Sequence, residues 1–415
     1  MNSNSESQPI TPESTTPLWR DPNFLVLWCV GGMNSTGRWL EMLVIAIFVY
    51  DMTSSPLWVS SMLMLRLLPL SIFGIFGGVV AERFKRWTIL KCASCTVLLL
   101  SLSLWWLASS GSLEIWHVGM ASFLSGLVWS TDFPVRRTLM GDIAGPSRVA
   151  RAMSLDILAG SSTRVIGPLA GGLLYQYIGM QGAFLLTACL YLIGLTALFV
   201  RRKLPAEATH TPEPVLATIS SGFTHLRESP VLPPILAITI VFNLWGFPFV
   251  SLIPVFGKEV LTLSDAAVGM LASAEGVGAL IGAIALSVFA QSRHARYLYV
   301  GGVLAYSIFS FAFAQSHTVW LSAGLLLLVG LVSAAFGSMQ SALILMNSPP
   351  GRERQMMGLL AVCIGSAPLG FLHIGLLADW LGTPTATAIS AVEGAIALGL
   401  VVWRWPGVLS AQPNS

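Results

Sequence analysis

Charged residues are scarce in this chain: Asp, Glu, Lys and Arg together make up 10% of its 415 residues. A soluble domain carries about 25%, so a water-facing surface of this size could not be covered and the solvent must be lipid. Histidine (6) and cysteine (5) are also few. Cys29, Cys92, Cys95, Cys189 and Cys363 all fall in apolar segments. Cys92 and Cys95 have CxxC spacing, but no second pair or nearby histidines complete a tetrahedral site, so no metal is expected. No Lys/Arg run is long enough to track phosphates, which argues against a nucleic-acid partner. A GxxxxGK[ST] loop is missing, which excludes ATP-driven transport within the chain, and no HExxH motif supports a membrane hydrolase. The first 23 residues lack the apolar core and cleavage site of a secretory signal. They read as a disordered cytoplasmic tail, with Trp19 near its membrane end.

What remains is apolar: 54% hydrophobic residues and a mean hydropathy of +0.75. Spans in hydrocarbon must satisfy their backbone internally, as helices of about 20 residues or closed barrels. Continuous apolar runs favour helices. Twelve are predicted, over 24–50, 57–81, 87–108, 113–133, 150–175, 181–200, 233–257, 266–290, 297–315, 318–346, 356–378 and 383–404. The expected class is an all-α polytopic membrane protein.

Basic residues orient it. Of 22, Arg38, Arg66 and Arg164 lie within spans, eighteen fall on the side of the N-terminus, and Lys258 alone on the other. Both termini are therefore expected in the cytoplasm. The hydrophilic stretch 201–230, with Pro205, Pro212 and Pro214, reads as a linker between six-helix bundles 24–200 and 231–405, followed by a tail at 406–415. The halves repeat. A shift of 203 aligns Arg151 with Arg354, Gly172 with Gly375 and Gly179 with Gly382. A shift of 209 aligns Asn34 with Asn243 and sets Arg66 opposite Glu275. Parallel repeats of this kind place a binding site between them near the midplane.

Several motifs stand at matching places in this frame. The second-to-third helix loop reads Gly78-Val-Val-Ala-Glu82-Arg83-Phe84-Lys85-Arg86. The fifth helix carries Gly167-Pro168-Leu-Ala-Gly171-Gly172, whose small residues permit close helix approach beside a proline that removes one helical hydrogen bond. Further along stand Asp132-Phe-Pro134-Val-Arg136-Arg137, Arg352-Glu-Arg354-Gln-Met-Met-Gly358 and Ala367-Pro368-Leu-Gly370. From about residue 24 to 408 the chain resembles the major facilitator superfamily, and within it the drug:proton antiporter branch holding macrolide efflux pumps and the enterobactin exporter. Glu82 stands where the superfamily signature has aspartate, Phe84 where it has glycine, and Thr163 where the antiporter motif begins with glycine. The resemblance implies two pseudo-symmetric bundles, a cavity lined by the first, fourth, seventh and tenth helices, and export. Gly78, Glu82, Arg83, Arg86, Asp132, Arg136 and Asp156 are the expected cytoplasmic gate, their acids pairing with neighbouring bases in one conformation.

Charges inside spans cost about 2.5–3.5 kcal/mol each on insertion scales and mark pathways or pairs. Asn34, Arg38 and Glu41 share a face of the first helix, and Arg66, Asn243 and Glu275 join them as candidate cavity residues. Related exporters carry Gly-Asp-Trp where this chain has Gly37-Arg38-Trp39, which leaves Glu41 as the nearest acid. A nearby cation favours the ionised carboxylate and burial the neutral acid. Glu41 is therefore expected to exchange a proton under control of Arg66, or else to form a permanent pair with Arg38 or Arg66. Glu275 could bind a cationic group, carry a proton or pair across the halves. His373 reads as a packed histidine and Glu393 as a structural contact. Trp28, Trp58, Trp87, Trp116, Trp320, Trp380 and Trp403 read as interface anchors, with Trp39, Trp129 and Trp245 deeper.

The expected function is a proton-coupled exporter of a small amphipathic organic molecule, a drug or a siderophore. It would be a monomer in a bacterial inner membrane, with the proton gradient in place of a cofactor. Arg38 and Arg66 suit an anionic siderophore; Glu41 and Glu275 suit a cationic drug. A lipid or lysophospholipid flippase or a uniporter on the same fold is the alternative. A sensor or membrane enzyme is disfavoured because the chain offers neither a soluble domain nor a nucleophile–base pair.

Overall fold

The computed structural model describes residues 17–73, 85–145, 147–199, 229, 231–289, 291–349 and 352–409. Among them all regular structure is helical. The long rods are α1 (Pro22–Thr53), α2 (Pro56–Phe73), α3 (Arg86–Ser109), α4 (Ile115–Ala144), α5 (Val149–Ile178), α6 (Met180–Ala197), α7 (Leu232–Glu259), α8 (Asp265–Phe289), α9 (Ala295–Ala314), α10 (Val319–Asn347), α11 (Glu353–Ile364 and Ala367–Leu381) and α12 (Thr383–Arg404). Nine are long and apolar enough to cross a membrane; Pro56–Ile72 is a shorter apolar helix. The rods α1 and α4 are 32 and 30 residues long.

Local chemistry sets the ends. Asp21 caps α1, its carboxylate accepting from the backbone of Asn23 at 2.9 Å and Phe24 at 3.3 Å, with Pro22 at the position that needs no donor. Order begins earlier than the predicted tail allows. Leu18–Arg20 form a 3-10 turn in which Leu18 is buried against Phe24 and Leu27, and Arg151 lies over the Trp19 ring at 5.0 Å. At the other end Pro406–Val408 form a short turn that buries Val408.

Two rods are broken. In α7 the α-helix gives way to a π turn at Phe242–Gly246 and a 3-10 turn at Phe247–Ser251, where Gly246 and Pro248 weaken regular bonding. In α11 the break falls at Gly365–Ser366, just before Pro368. The hydropathy pattern does not register either break, because apolarity continues through both.

The internal repeat has a backbone counterpart. Gly179, between α5 and α6, has φ +83°, and Gly382, between α11 and α12, has φ +82°, both with ψ near extended. That region is essentially reserved for glycine. Close helix crossings match as well. The carbonyl of Arg66 abuts Gly126 where α2 crosses α4, and the carbonyl of Glu275 abuts Gly330 where α8 crosses α10. A Cβ at either glycine would collide with that oxygen.

Apolar cores divide along the same line. One cluster lies wholly within residues 232–408, and three others draw almost entirely on residues 18–198. Small seam clusters join them: Leu43 and Ile47 with Val268, and Leu63 with Ala367 and Phe371. In lipid such helices associate by close packing and polar contacts rather than by hydrophobic drive. The motif glycines supply the packing. Gly167 and Gly171 lie against the backbone of α1 at Leu40, while Gly172 faces Gly269 of α8.

Polar contacts between the halves run along the middle and the end far from the termini. Lys258 Nζ reaches Asp51 at 3.1 Å and Asp265 at 2.5 Å. Gln176 accepts from the Ala266 amide at 2.9 Å and Ser55 donates to Asp379 at 2.5 Å, while Tyr175 steadies Asp51 from within its own half at 3.1 Å. Nearer the middle, Ser273 donates to the Val165 carbonyl and the Ser60 and Ser251 hydroxyls meet. The tryptophans differ widely in exposure. Trp320, Trp380 and Trp403 are the most exposed. Trp87 is buried beside Leu90 and Leu139, and Trp28 is held by its hydrogen bond to the Leu155 carbonyl. These two rings pack between helices because they face inward, Trp28 from the second turn of α1 and Trp87 from the first turn of α3.

Candidate functional site

The first half of α1 and the terminus-side ends of α4 and α5 enclose a cavity of about 280 Å³. Asn34, Arg38 and Trp39 come from α1, Arg66 from α2, Trp129, Asp132 and Arg136 from α4, Asp156 and Arg164 from α5, and Tyr191 from α6. A second lobe of about 260 Å³ lies across the seam, lined by Asn243, Phe247, Glu275, Tyr306, Phe336 and Gln340. Trp129 and Arg164 border both lobes, so they form the partition.

The arginines find different partners. Arg66 lies 3.4 Å from Glu41, at the long edge of hydrogen-bond range, and the other Glu41 oxygen accepts from Ser101 at 2.7 Å. Glu41 is 4% exposed and lies behind Arg66, which separates it from the cavity. Of the two pairings open to Glu41 in the sequence, Arg66 is the one that forms. Arg38 instead bonds the Ser35 hydroxyl at 3.1 Å and lies over Trp129 at 4.9 Å and Trp39 at 5.9 Å.

Arg164 spans the seam to Glu275 at 2.6 Å and lies 5.0 Å over Trp39. Glu275 thus pairs across the halves with Arg164, whereas Arg66, its repeat counterpart, pairs within its own half.

Among the expected gate residues, Asp156 takes both Arg136 at 2.6 Å and Arg137 at 2.8 Å. Arg86 pairs with Asp142 at 2.6 Å. These bridges join α3, α4 and α5 within one half rather than across the seam. Asp132, expected to pair with these bases, is 7% exposed and its Oδ1 has no hydrogen-bond partner among the described residues, because Asp156 occupies Arg136 and Arg137. Gly78, Glu82 and Arg83 lie outside the described residues. Asn243 donates to the Thr239 carbonyl at 2.8 Å inside the π turn of α7.

His373 and Glu393 meet at 2.7 Å between α11 and α12, each more than a third exposed, and line neither lobe. No group of three or more His, Cys, Asp or Glu suited to a metal occurs among the described residues.

The sequence pattern does not single out Ser101, Tyr191 or the role of Arg164. The charge of Arg164 in mid-helix is the same signal that marked Arg66. Ser101, in an otherwise apolar helix, carries no distinguishing pattern.

Comparison with known proteins follows the same line. The family described as transmembrane secretion effector matches residues 13–406. An uncharacterised MFS-type transporter of Bacillus subtilis (strain 168) is 24% identical over 222 residues, 52% of this chain; the match spans about half of that protein too, 52%. The staphyloferrin A transporter of Staphylococcus aureus (strain NCTC 8325 / PS 47) is 21% identical over 86% of this chain and 90% of its own length. A solved bacterial homologue of the human lysosomal transporter Spinster, inward-facing and unoccupied, superposes with a TM-score of 0.73 at 14% identity, covering 94% of this chain and 98% of that one.

Proposed function

The chain belongs to the transmembrane secretion effector family of the major facilitator superfamily, a transporter rather than an enzyme, and we propose that it is a proton-coupled exporter of a small amphipathic organic molecule. All twelve rods would cross a bacterial inner membrane, as two six-helix bundles with both termini cytoplasmic. The positive-inside balance of the loops supports that orientation.

The observation that carries the reading is the two-lobed charged cavity, set on the terminus side of a seam whose far end is held by Lys258, Asp51 and Asp265. In the proposed orientation it is loaded from the cytoplasm. Export requires the far contacts to part while the cytoplasmic ends close. Substrate and proton can drive this only by binding the two states differently.

Glu41 is the proposed proton site. It is buried, its long contact to Arg66 is loose enough to break, and Arg66 stands between it and the cavity. When the helices move, a change in the Arg66 distance would change the carboxylate's hold on a proton. The substrate would be a drug or a siderophore; the relative named for staphyloferrin A supports the second. Lipid flipping on the same fold is the competing function, because Arg38 and Arg164 could hold a headgroup.

Proteoliposomes test this. Proton movement is recorded on adding macrolides, lipophilic cations, catecholate and carboxylate siderophores, and lysolipids in turn. Flux with one organic class supports antiport. Silence across the panel with folded, oriented protein contradicts it, and lysolipid movement without proton flux establishes the flippase.

A further inference from the structure

The charges around the first lobe do not all cancel. Arg66 is matched by Glu41, Arg164 by Glu275, and Arg136 and Arg137 share Asp156. That sharing leaves one positive charge over, and Arg38 and Asp132 remain without an ion-pair partner. Neither forms an ion pair with the other or with a third described side chain, although both line the same lobe. Burying an unmatched charge is costly; Asp132 is buried and Arg38 half-buried, each without an ion-pair partner.

The surrounding polar atoms are unsatisfied too. Four buried side-chain polar atoms without a hydrogen-bond partner among the described residues line this lobe: Asn34 Oδ1, Trp129 Nε1, Asp132 Oδ1 and Arg164 Nε. Native interiors leave few such groups, and their concentration at one cavity marks a place completed by something bound. They are of both kinds, two acceptors and two donors.

Arg38 is arranged for an anion. A guanidinium has five N–H donors in one plane. Trp129 and Trp39 lie against its faces and Ser35 accepts from one Nη. The remaining in-plane donors suit bidentate binding of a carboxylate or phosphate. Asp132, 7% exposed, offers an acceptor to an ammonium or other donor group. The groups facing it are Arg136 on its own helix, Arg38 and Asn34 on α1, and Asp156 on α5.

We propose that Arg38 and Asp132 form a two-point site for a zwitterionic, ring-bearing ligand, whose anionic group is held by the Arg38 guanidinium and whose cationic group is held by the Asp132 carboxylate. A pure anion would satisfy Arg38 and leave the Asp132 carboxylate without a direct partner; a pure cation would do the reverse. The indoles of Trp39 and Trp129 border the space between and suit an aromatic or flat apolar body. The proposal rests on the transporter reading and narrows its substrate class.

The test uses a matched fluorescent set: Nε-dansyl-lysine as the zwitterion, its methyl ester as the cation, and its Nα-acetyl derivative as the anion. Binding to the purified full chain is followed by dansyl emission. The zwitterion is expected to bind about tenfold or more tighter than either derivative, the scale of one charged hydrogen bond. Arg38→Gln should erase the advantage over the ester, and Asp132→Asn the advantage over the acetyl compound. Arg38→Lys, which keeps the charge, should retain part of it. Gel-filtration profile and thermal unfolding establish that the variants fold.

Equal affinity for the three probes, no binding of the zwitterion, or preferences unchanged in folded variants would overturn the site. A wild-type protein that moves the ester or acetyl probe in response to a proton gradient, with no preference for the zwitterion, overturns this inference while leaving the transport reading intact.

Discussion

Arg164 and Glu275, on helices of opposite halves, meet at 2.6 Å between the two lobes of the cavity. Glu275 is buried, and Arg164 is partly open to the first lobe. Removing either partner leaves a charge in a low-dielectric seam. Breaking a buried pair costs about 3–5 kcal/mol, whereas replacing both partners is far milder. Because Arg164 keeps some solvent access, the lower end applies. Arg164→Gln and Glu275→Gln should each destabilise the seam by about 3 kcal/mol, and the double variant by clearly less than their sum. A double-mutant cycle on thermal unfolding in detergent measures this. Additive losses would show that the pair is not coupled.

Gly172 packs against Gly269 across the seam. A side chain there would force α5 and α8 apart at the far end. Gly172→Leu should therefore disfavour the closed far side, whereas Gly160→Leu, where a Cβ meets open space, should not. A cysteine placed at position 263 reports the difference through its labelling rate by a membrane-impermeant maleimide. Equal rates in the two variants would contradict the packing argument.

Lys258 holds Asp51 and Asp265 together at that same end. Partly exposed pairs contribute at most about 1 kcal/mol, about fivefold in population. Lys258→Gln should raise far-side labelling by roughly that factor, and high salt should raise it in the wild type and leave the variant unchanged.

Gly126 and Gly330 lie against carbonyls at matching helix crossings. Gly126→Ala and Gly330→Ala should each lower thermal stability by about 1–3 kcal/mol through overpacking. Gly324→Ala, at an open position, should be neutral or slightly stabilising. The unfolding midpoints of the three variants decide it.

Helix positions were legible because lipid demands long apolar runs and permits little else. Predicted span 150–175 and observed Val149–Ile178 differ by three residues at most. The breaks in α7 and α11 were not legible, since Asn243-Leu-Trp-Gly reads as apolar whether the turn is α or π. Candidate charges were visible one by one, but their partners were not. Arg38 stands three residues before Glu41 and is placed to pair with it along one helix face. It lies instead against Trp129, a ring from α4, and Arg66 from α2 takes the carboxylate. Such choices depend on how helices from distant segments meet, which spacing along one helix does not encode.

We propose that Glu41, held loosely by Arg66 behind the cavity wall, couples proton movement to transport. The most direct measurement compares Glu41→Gln with wild type in proteoliposomes, using a substrate that gives proton flux in the wild type. Two readings are taken: exchange of labelled substrate without a gradient, and accumulation driven by a pH gradient. Glu41→Gln should retain exchange and lose gradient-driven accumulation. Full gradient-driven accumulation in the variant would contradict it and remove Glu41 from the mechanism.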